Sequence, residues 1–331
     1  MSLVGQRERV TQDHVVGILS SQLGYEYVGD WKDRANSNVE EELLRQNLLA
    51  RGYEEDLVRR AIEQLHKVAS LPAGGSLYEA NRNVYSLLRY GVKVKRSASE
   101  NFETIWLIDW DNSEANHHVG AGEVANKGKN TKRPDVVLYV NGIALGVIEL
   151  KRSKVSVGDG IRQHLGNQKA DLVRPVFTTV QLLIAGNDVE GLRYGVIETP
   201  EKYWLEWKEP SEVENHLDRG LLQMASKQRF LELIHDFIVF DSGVKKTARH
   251  NQYFGVKAAQ ERIARREGGI IWHTQGSGKS LTMVWLAKWI RENQREARVL
   301  VITDRTERDE RVEKVCAGGD ATIGRAASGA V

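Results

Sequence analysis

A single cysteine, Cys316, is all the thiol in this chain of 331 residues. That excludes an internal disulfide and a cysteine-based zinc cluster. Charge of one sign is lacking too: 47 Lys and Arg stand against 45 Asp and Glu, a net +2. Such a balance does not announce a nucleic-acid binder, so any contact with a polyanion has to come from local patches. No apolar run approaches the ~20 residues needed to span a bilayer, and the N-terminal MSLVGQRERV has no apolar signal core. A cytoplasmic protein with no membrane partner is therefore expected. Internal repeats and low-complexity tracts are also absent. What remains is an ordinary globular composition, long enough for two or more domains with a core each.

The most informative stretch is Arg133 to Ser153, RPDVVLYVNGIALGVIELKRS. Pro134-Asp135 heads one β-type run, and Glu149-Leu150-Lys151 ends the next. Side chains alternate faces along a strand, so Glu149 and Lys151 point one way and Leu150 the other. An isolated E-x-K is ordinarily a solvated face. Here Glu149 closes the apolar run Ile143 to Ile148, where an unpaired carboxylate is expensive. Two carboxylates and a lysine in this pattern suit Mg²⁺-dependent phosphodiester cleavage. Asp135 and Glu149 would hold the hard cation, with Lys151 orienting a water or balancing charge. A basic patch, Lys127, Lys129, Lys132 and Arg133, lies just before Asp135 and would suit phosphate contact.

The turn carries a register expectation. Asn141-Gly142 is a strong hairpin signal. A plain two-residue turn would pair Asp135 with Ile148 and send the carboxylates to opposite faces. A three-residue loop, with Gly142 left-handed in a bulge, would pair Tyr139 with Ile143 and Asp135 with Val147. The carboxylates would then be diagonal neighbours on one face. The shared-metal site predicts the second arrangement.

A second motif lies further on. Gly269 to Trp272 reads as a short buried strand, His273-Thr274-Gln275-Gly276-Ser277-Gly278-Lys279-Ser280 follows, and a helix runs through about Arg291. Strand, Gly-rich loop and helix are what a phosphate-binding loop requires, although His273 stands where the consensus begins with glycine. Backbone N–H groups of the turn and the helix N-terminus would cradle the phosphates. Lys279 would reach the β and γ phosphates and the Ser280 hydroxyl would hold Mg²⁺.

Between these motifs the pattern predicts helices over Thr11–Leu23, Ser37–Leu71 (Asn38 as cap, with Glu40 to Glu42 in the first turn), Leu77–Leu88 and Asp159–Asp171. It predicts strands at Lys93–Lys95, Glu103–Trp110, Val180–Ala185, Arg193–Ile197 and Val299–Thr303. Asn112–Thr131 reads as a long loop, with His117 and His118 taken as surface residues rather than ligands. The result is an α/β fold with a mixed sheet. Glu206–Asn215 resembles a domain exit, Leu221–Phe240 a helical connector, and the nucleotide-binding domain starts near Asn251.

In this order, RPDVVLYVNG, GVIELKRS, YGVIETPEKYWLEWKEP, NQYFGVKAAQERI, HTQGSGKSLTMVWLAKWI and VLVITDRTERDE closely resemble the restriction (HsdR, or R) subunit of type I restriction-modification enzymes. The resemblance covers essentially the whole chain. It implies a PD-(D/E)-x-K endonuclease domain over 1–210, a connector over 211–250, and over 251–331 the start of a RecA-like superfamily 2 motor domain. Asp135, Glu149 and Lys151 fall on the nuclease motif. Gln163 falls on the glutamine of a following Q-x-x-x-Y motif, whose tyrosine position is Asn167. Gln252 matches an adenine-sensing glutamine ahead of the phosphate loop, and Asp304 and Arg305 match the motif after the second motor strand.

No strand-end D-E-x-H occurs, Asp309-Glu310-Arg311 being a polar-helix decoy, and a second lobe with its arginine finger is missing. An N-terminal fragment that binds nucleotide without hydrolysing it is therefore expected. The implied whole is an ATP-dependent type I site-specific deoxyribonuclease and translocase, with helicase-type motor motifs. It would cut unmethylated foreign double-stranded DNA with Mg²⁺ and ATP, alongside methyltransferase (modification) and specificity subunits. The competing readings are a repair or defence helicase whose nuclease-like domain only grips DNA, and a nucleotide-regulated structural protein.

Overall fold

A computed structural model describes residues 3–31, 37–97, 99–122, 134–169 and 173–302. Several expectations lie outside the described residues: the basic patch at Lys127–Arg133, Asp304 and Arg305, Asp309–Arg311, Cys316, and the ends of the runs reaching Asp171 and Thr303. The chain divides into two compact units, 1–235 and 236–331.

The first unit runs α1 (Leu3–Ser21), β1 (Glu26–Asp30), α2 (Glu41–Ala50), α3 (Glu55–Ala69), α4 (Leu77–Tyr90), β2 (Val92–Val94), β3 (Glu103–Ile105), β4 (His118–Gly122), β5 (Val136–Val140), β6 (Ile143–Leu150), α5 (Val157–Asn167), β7 (Leu182–Asn187), β8 (Gly191–Gly195), α6 (His216–Met224) and α7 (Lys227–Asp236). Among the described residues, β1-β4-β5-β6-β7-β8 form one mixed sheet in that order. β1–β4 and β6–β7 are parallel and the other neighbours antiparallel. α5 is the crossover of the parallel pair β6–β7 and packs on both strands.

The central strands are buried on both faces, which explains their near-continuous apolar sequence. Val119, Val137, Tyr139, Val147, Leu183 and Ala185 face a core that Val157 and Ile161 of α5 close. The opposite face takes Phe230 of α7 against Gly146, where a Cβ would come within 2.9 Å of the ring.

Several elements depart from the sequence reading. Ser37–Leu71 is two helices, broken at Gly52, whose φ of 87° favours glycine. Asn38 is not a cap: its amide donates to the Pro175 carbonyl and the Thr178 hydroxyl. Glu40 is the residue before α2. The polar stretch 112–131 is not all loop, because His118–Gly122 forms β4 inside the sheet. Its residues are small enough to lie flat beside β1 and β5. Glu103–Trp110 is strand only to Ile105. Leu221–Phe240 is helical only in part, since β9 begins at Ile238.

The β5–β6 hairpin keeps a two-residue turn. Asn141 (φ 50°) and Gly142 (φ 79°) are both left-handed and Val140 pairs with Ile143. The extra residue sits further along: Tyr139 pairs with Ala144 but Leu138 with Gly146, so Leu145 is a bulge. The positive φ at Gly142 agrees with the expectation, but the three-residue loop expected with it, pairing Tyr139 with Ile143, does not form. Asn141 is fully buried, its carbonyl oxygen accepting the His117 N–H and its amide donating to Leu107 O and Asn116 Oδ1. Gly142 lies under the start of α2 and accepts the Glu40 N–H at 2.7 Å.

In the second unit, β9 (Ile238–Asp241) and β10 (Val244–Thr247) form a hairpin, followed by α8 (His250–Ala264) and α9 (Lys279–Asn293), which pack together. Phe237, Tyr253 and Trp285 cluster in its core. Gly269–Trp272 is not a buried strand: Ile270 and Trp272 are each 89% exposed. Val299–Ile302 likewise forms no strand, and Leu300 and Ile302 are exposed. A strand needs a neighbour for its N–H and C=O groups, and no described strand pairs with either run.

Gly142→Ala should destabilise the first unit by about 3 kcal/mol. It adds a left-handed penalty to a Cβ placed 2.5 Å from the Glu40 carbonyl oxygen. Urea unfolding measures it, and a loss below ~1 kcal/mol would mean that the turn relaxes without cost. A second outcome concerns acid. Burial pushes the imidazoles of His118 and His164 down to about 4 from 6.5. The unfolded chain takes up those protons below about 6.5 while the folded chain refuses them. The stability is therefore present above 6.5 and is lost as the pH falls towards 4, at about 1.4 kcal/mol per pH unit for each histidine. Unfolding compared at pH 7.5 and 5 should show the loss, and His164→Gln should roughly halve the slope. An unchanged slope in that variant would refute the assignment.

Candidate active site

The bulge decides where the carboxylates point. Val137 and Val147 are direct partners and both face the α5 core. Asp135 and Glu149 lie two residues beyond them, so continuing the register by one more alternation puts them opposite each other on that same face. Asp135 stands just outside the ladder, and its Oδ2 accepts the Leu150 N–H at 2.6 Å. Glu149 pairs with Ala185 on β7 and is fully buried.

α5 covers this face because two local features bring it close. Ser156 caps it, accepting the Gly158 N–H. Gly160 then lets it lie against the strands: a Cβ there would sit 3.3 Å from the Ala185 Cβ and 3.6 Å from the Lys151 Cγ. One turn later the helix presents Gln163, whose Oε1 accepts from the Lys151 Nζ at 2.8 Å. Four residues on, Asn167 donates its amide to Glu149 Oε1 at 3.3 Å. Lys151 is 9% exposed and Asn167 fully buried. His164, between them, donates from Nε2 to the Ile184 carbonyl at 2.9 Å and stacks on Trp204. Asp135, Glu149, Lys151 and Gln163 thus gather at one end of the β5–β6–α5 layer.

Two residues of this neighbourhood carry no signal in the sequence. Gln12 of α1 donates to the Asp135 carbonyl at 2.8 Å although 123 positions away. Asp188, just past β7, accepts from Thr11 and from Ser153 beyond Lys151. Asn167 had been noted only as a departure from tyrosine, and its bond to Glu149 is visible only in three dimensions.

As a cation site, the donor set is two carboxylates with amide oxygens nearby. Hard oxygen ligands suit Mg²⁺. Among the described residues there is no cluster of three or more His, Cys, Asp or Glu side chains that could hold a metal. An ion here would take its remaining ligands from water or phosphate, as Mg²⁺ commonly does.

The candidate phosphate loop lies in the second unit. Gly276 and Gly278 are left-handed, at φ 79° and 86°, and Gly278 begins α9. Lys279 and Ser280 are the first two helical residues, so both stand where N–H groups point at an anion. The Lys279 Nζ donates to the His273 and Thr274 carbonyls, folding over the loop mouth. Thr274 and Gln275 are exposed and Ser277 half-buried. Gln252, on α8, is buried against this loop.

Comparison with known proteins gives a family match for each part of the chain. The family described as type I restriction enzyme R protein N terminus matches residues 5–202, and the family described as SWI2/SNF2 ATPase matches residues 251–329. The type I restriction enzyme HindI endonuclease subunit of Haemophilus influenzae is 27% identical over 282 residues, 76% of this chain and 26% of its own length. The putative MjaIXP endonuclease subunit of Methanocaldococcus jannaschii is 28% identical over 273 residues, 70% of this chain and 26% of its own. The putative MjaVIIP subunit of the same organism is 30% identical over 228 residues, 61% of this chain and 21% of its own. The chain therefore spans about a quarter of the length of the curated relatives it matches. With well over half of its residues covered by the first of these families, the chain belongs to the type I restriction enzyme R protein N-terminal family.

Proposed function

We propose that the chain is the N-terminal part of the ATP-dependent endonuclease and translocase subunit of a cytoplasmic type I restriction system. Residues 1–210 are assigned to a PD-(D/E)-x-K nuclease domain, 211–250 to a connector and 251–331 to the beginning of a RecA-like motor. The observation that carries the nuclease reading is the register beyond the Leu145 bulge, Val137 with Val147 and Val136 with Ile148, whose continuation sets Asp135 opposite Glu149 near the Lys151–Gln163 hydrogen bond. The substrate is unmethylated double-stranded DNA. Modification and specificity subunits supply recognition of the target.

Mg²⁺ held by Asp135 and Glu149 would polarise the scissile phosphate and lower the pKa of a water. The rest falls to the chain. The Leu150 N–H fixes one oxygen of Asp135, and Asn167 holds one oxygen of Glu149, so neither carboxylate has to be ordered when substrate arrives. Gln163 holds the Lys151 ammonium at the site, where it orients the attacking water or offsets the charge gathering on the phosphate. Burial excludes bulk water, which strengthens each of these interactions.

In the second unit, the backbone of Thr274 to Lys279 would hold the phosphates of ATP. The Lys279 ammonium, now on the His273 and Thr274 carbonyls, would serve the β and γ phosphates, and Ser280 would hold the nucleotide's Mg²⁺. Nuclease and motor use separate residues and separate ions.

Two outcomes follow for the intact subunit assembled with its partners on unmethylated plasmid. Glu149→Ala should abolish cleavage, by at least ~1000-fold, and leave ATP hydrolysis intact. Loss of both activities in a folded variant would show that the division of roles is wrong. Lys279→Ala should remove ATP hydrolysis and restriction together, because cleavage follows translocation. Restriction at the normal level by that variant would sink the motor assignment.

A further inference from the structure

The short ribbon β2–β3 carries its aromatics on the wrong side for a half-buried sheet. Its inner face is ordinary: Val92, Val94 and Ile105 are buried, and the ribbon packs on α3. Side chains alternate along each strand, so Lys93 and Lys95 stand on the outer face of β2, with Phe102, Thr104 and Trp106 beside them on that of β3. Lys93 pairs with Thr104, and one further step of the register sets Lys95 opposite Phe102. The Lys95 Nζ lies 4.5 Å from the Phe102 ring centre. Polar side chains are expected on such a face. Here Phe102 is 64% exposed and Trp106 39%.

The turn between α2 and α3 extends this face at its Trp106 end. The Arg51 Nη1 donates to the Trp106 carbonyl at 2.7 Å, and the Tyr53 hydroxyl accepts the Trp106 N–H at 3.3 Å. The Arg51 guanidinium lies 5.6 Å from the Tyr53 ring centre. Gly91 leaves room for the indole, since a Cβ there would sit 3.5 Å from its Cδ2. Among the described residues, Lys93, Lys95 and Arg51 pair with no carboxylate. Glu54 and Glu103 both hold Arg96, and Glu103 stands on the Val94 side of the ribbon. Glu100 lies in the connecting loop.

Lysine is depleted where proteins bind one another, and a positive face without acids suits a polyanion. Duplex DNA would satisfy the lysines but hides its base faces in the stack. An unpaired strand offers phosphates and base faces together. We propose that the outer face of β2–β3 is a platform for an unpaired nucleic-acid strand, on which Phe102 and Trp106 stack bases while Lys93, Lys95 and Arg51 hold phosphates. The ribbon lies outside the six-stranded sheet, so the platform stands independently of the nuclease and nucleotide readings.

The test is fluorescence anisotropy of a labelled oligo-dT of about 16 nucleotides, and of a duplex of the same length, titrated with the whole chain. Phe102→Ala and Trp106→Ala should each weaken oligo-dT binding about tenfold and leave duplex binding within about twofold. Lys93→Ala and Lys95→Ala should each lower the salt slope for oligo-dT by about 0.7. Phe102 is the more exposed of the two aromatics, so Phe102→Ala decides the matter if circular dichroism shows that Trp106→Ala disturbs the fold. A wild-type chain that does not bind oligo-dT would overturn the platform. So would oligo-dT binding unchanged in Phe102→Ala, the outcome expected of a surface for a partner protein. An equal loss of single strand and duplex in that variant, or salt slopes unchanged in the lysine variants, would overturn it as well.

Discussion

One extra residue in β6 governs the proposed active site. The Asn141-Gly142 turn pairs Val140 with Ile143, and a regular ladder from there would set Asp135 against Ile148. Glu149 would then face the other side of the sheet, because side chains alternate with a period of two. The bulge at Leu145 advances the register by one, and every pair beyond it changes face relative to the turn. The turn thus keeps its tight two-residue form, clamped by buried Asn141 on one side and α2 on the other, while the far end of the hairpin brings both carboxylates to the α5 side. Hairpin turn and carboxylate pairing make opposite demands on parity, and the bulge reconciles them.

The amides of α5 depend on the same face. Glu149 and Lys151 are two residues apart on a strand, about 6.6 Å at ~3.3 Å per residue. Gln163 and Asn167 are four apart on a helix, about 6 Å at ~1.5 Å per residue. The two spacings nearly match, so a helix lying along the strand end can serve both charged groups, one amide each. Gly160 makes the approach close enough. Burying a carboxylate is costly unless it is bonded, and an amide donor at Glu149 offsets part of that cost without bringing a second positive charge to the site. A hydrogen-bonding residue other than tyrosine can therefore occupy position 167, provided that it reaches the Glu149 oxygen.

Local rules made much of this legible in the sequence. The Asn-Gly turn, the buried character of β5–β7, the strand parity of Glu149 and Lys151, the helix α5 and the loop Thr274–Ser280 all follow from contacts within a few residues. What was not legible depends on distant partners. β4 is written in small and polar residues, and only its place between β1 and β5 makes it a strand. Asn38 looks like a cap by composition, but tertiary contacts to Pro175 and Thr178 take its amide. The bulge at Leu145 has no marker of its own in IALGVIEL. Gln12 reaches Asp135 across 123 positions, beyond the range of any sequence period.

The second unit shows how far a phosphate loop can be specified without a described strand behind it. Ile270 and Trp272 are exposed and 269–272 has no ladder, so the loop's entry is not held by a sheet among the described residues. Its shape is nonetheless defined by polar contacts. Gly276 and Gly278 take left-handed conformations, Gln252 fixes two carbonyls, and the Lys279 ammonium closes on two more. These bonds belong to α8, the loop and the first turn of α9, which pack together as one layer. On the proposed nucleotide-binding reading, the Lys279 ammonium has to leave these carbonyls for phosphate to enter. An ammonium can exchange carbonyl partners for phosphate oxygens with a gain in charge pairing.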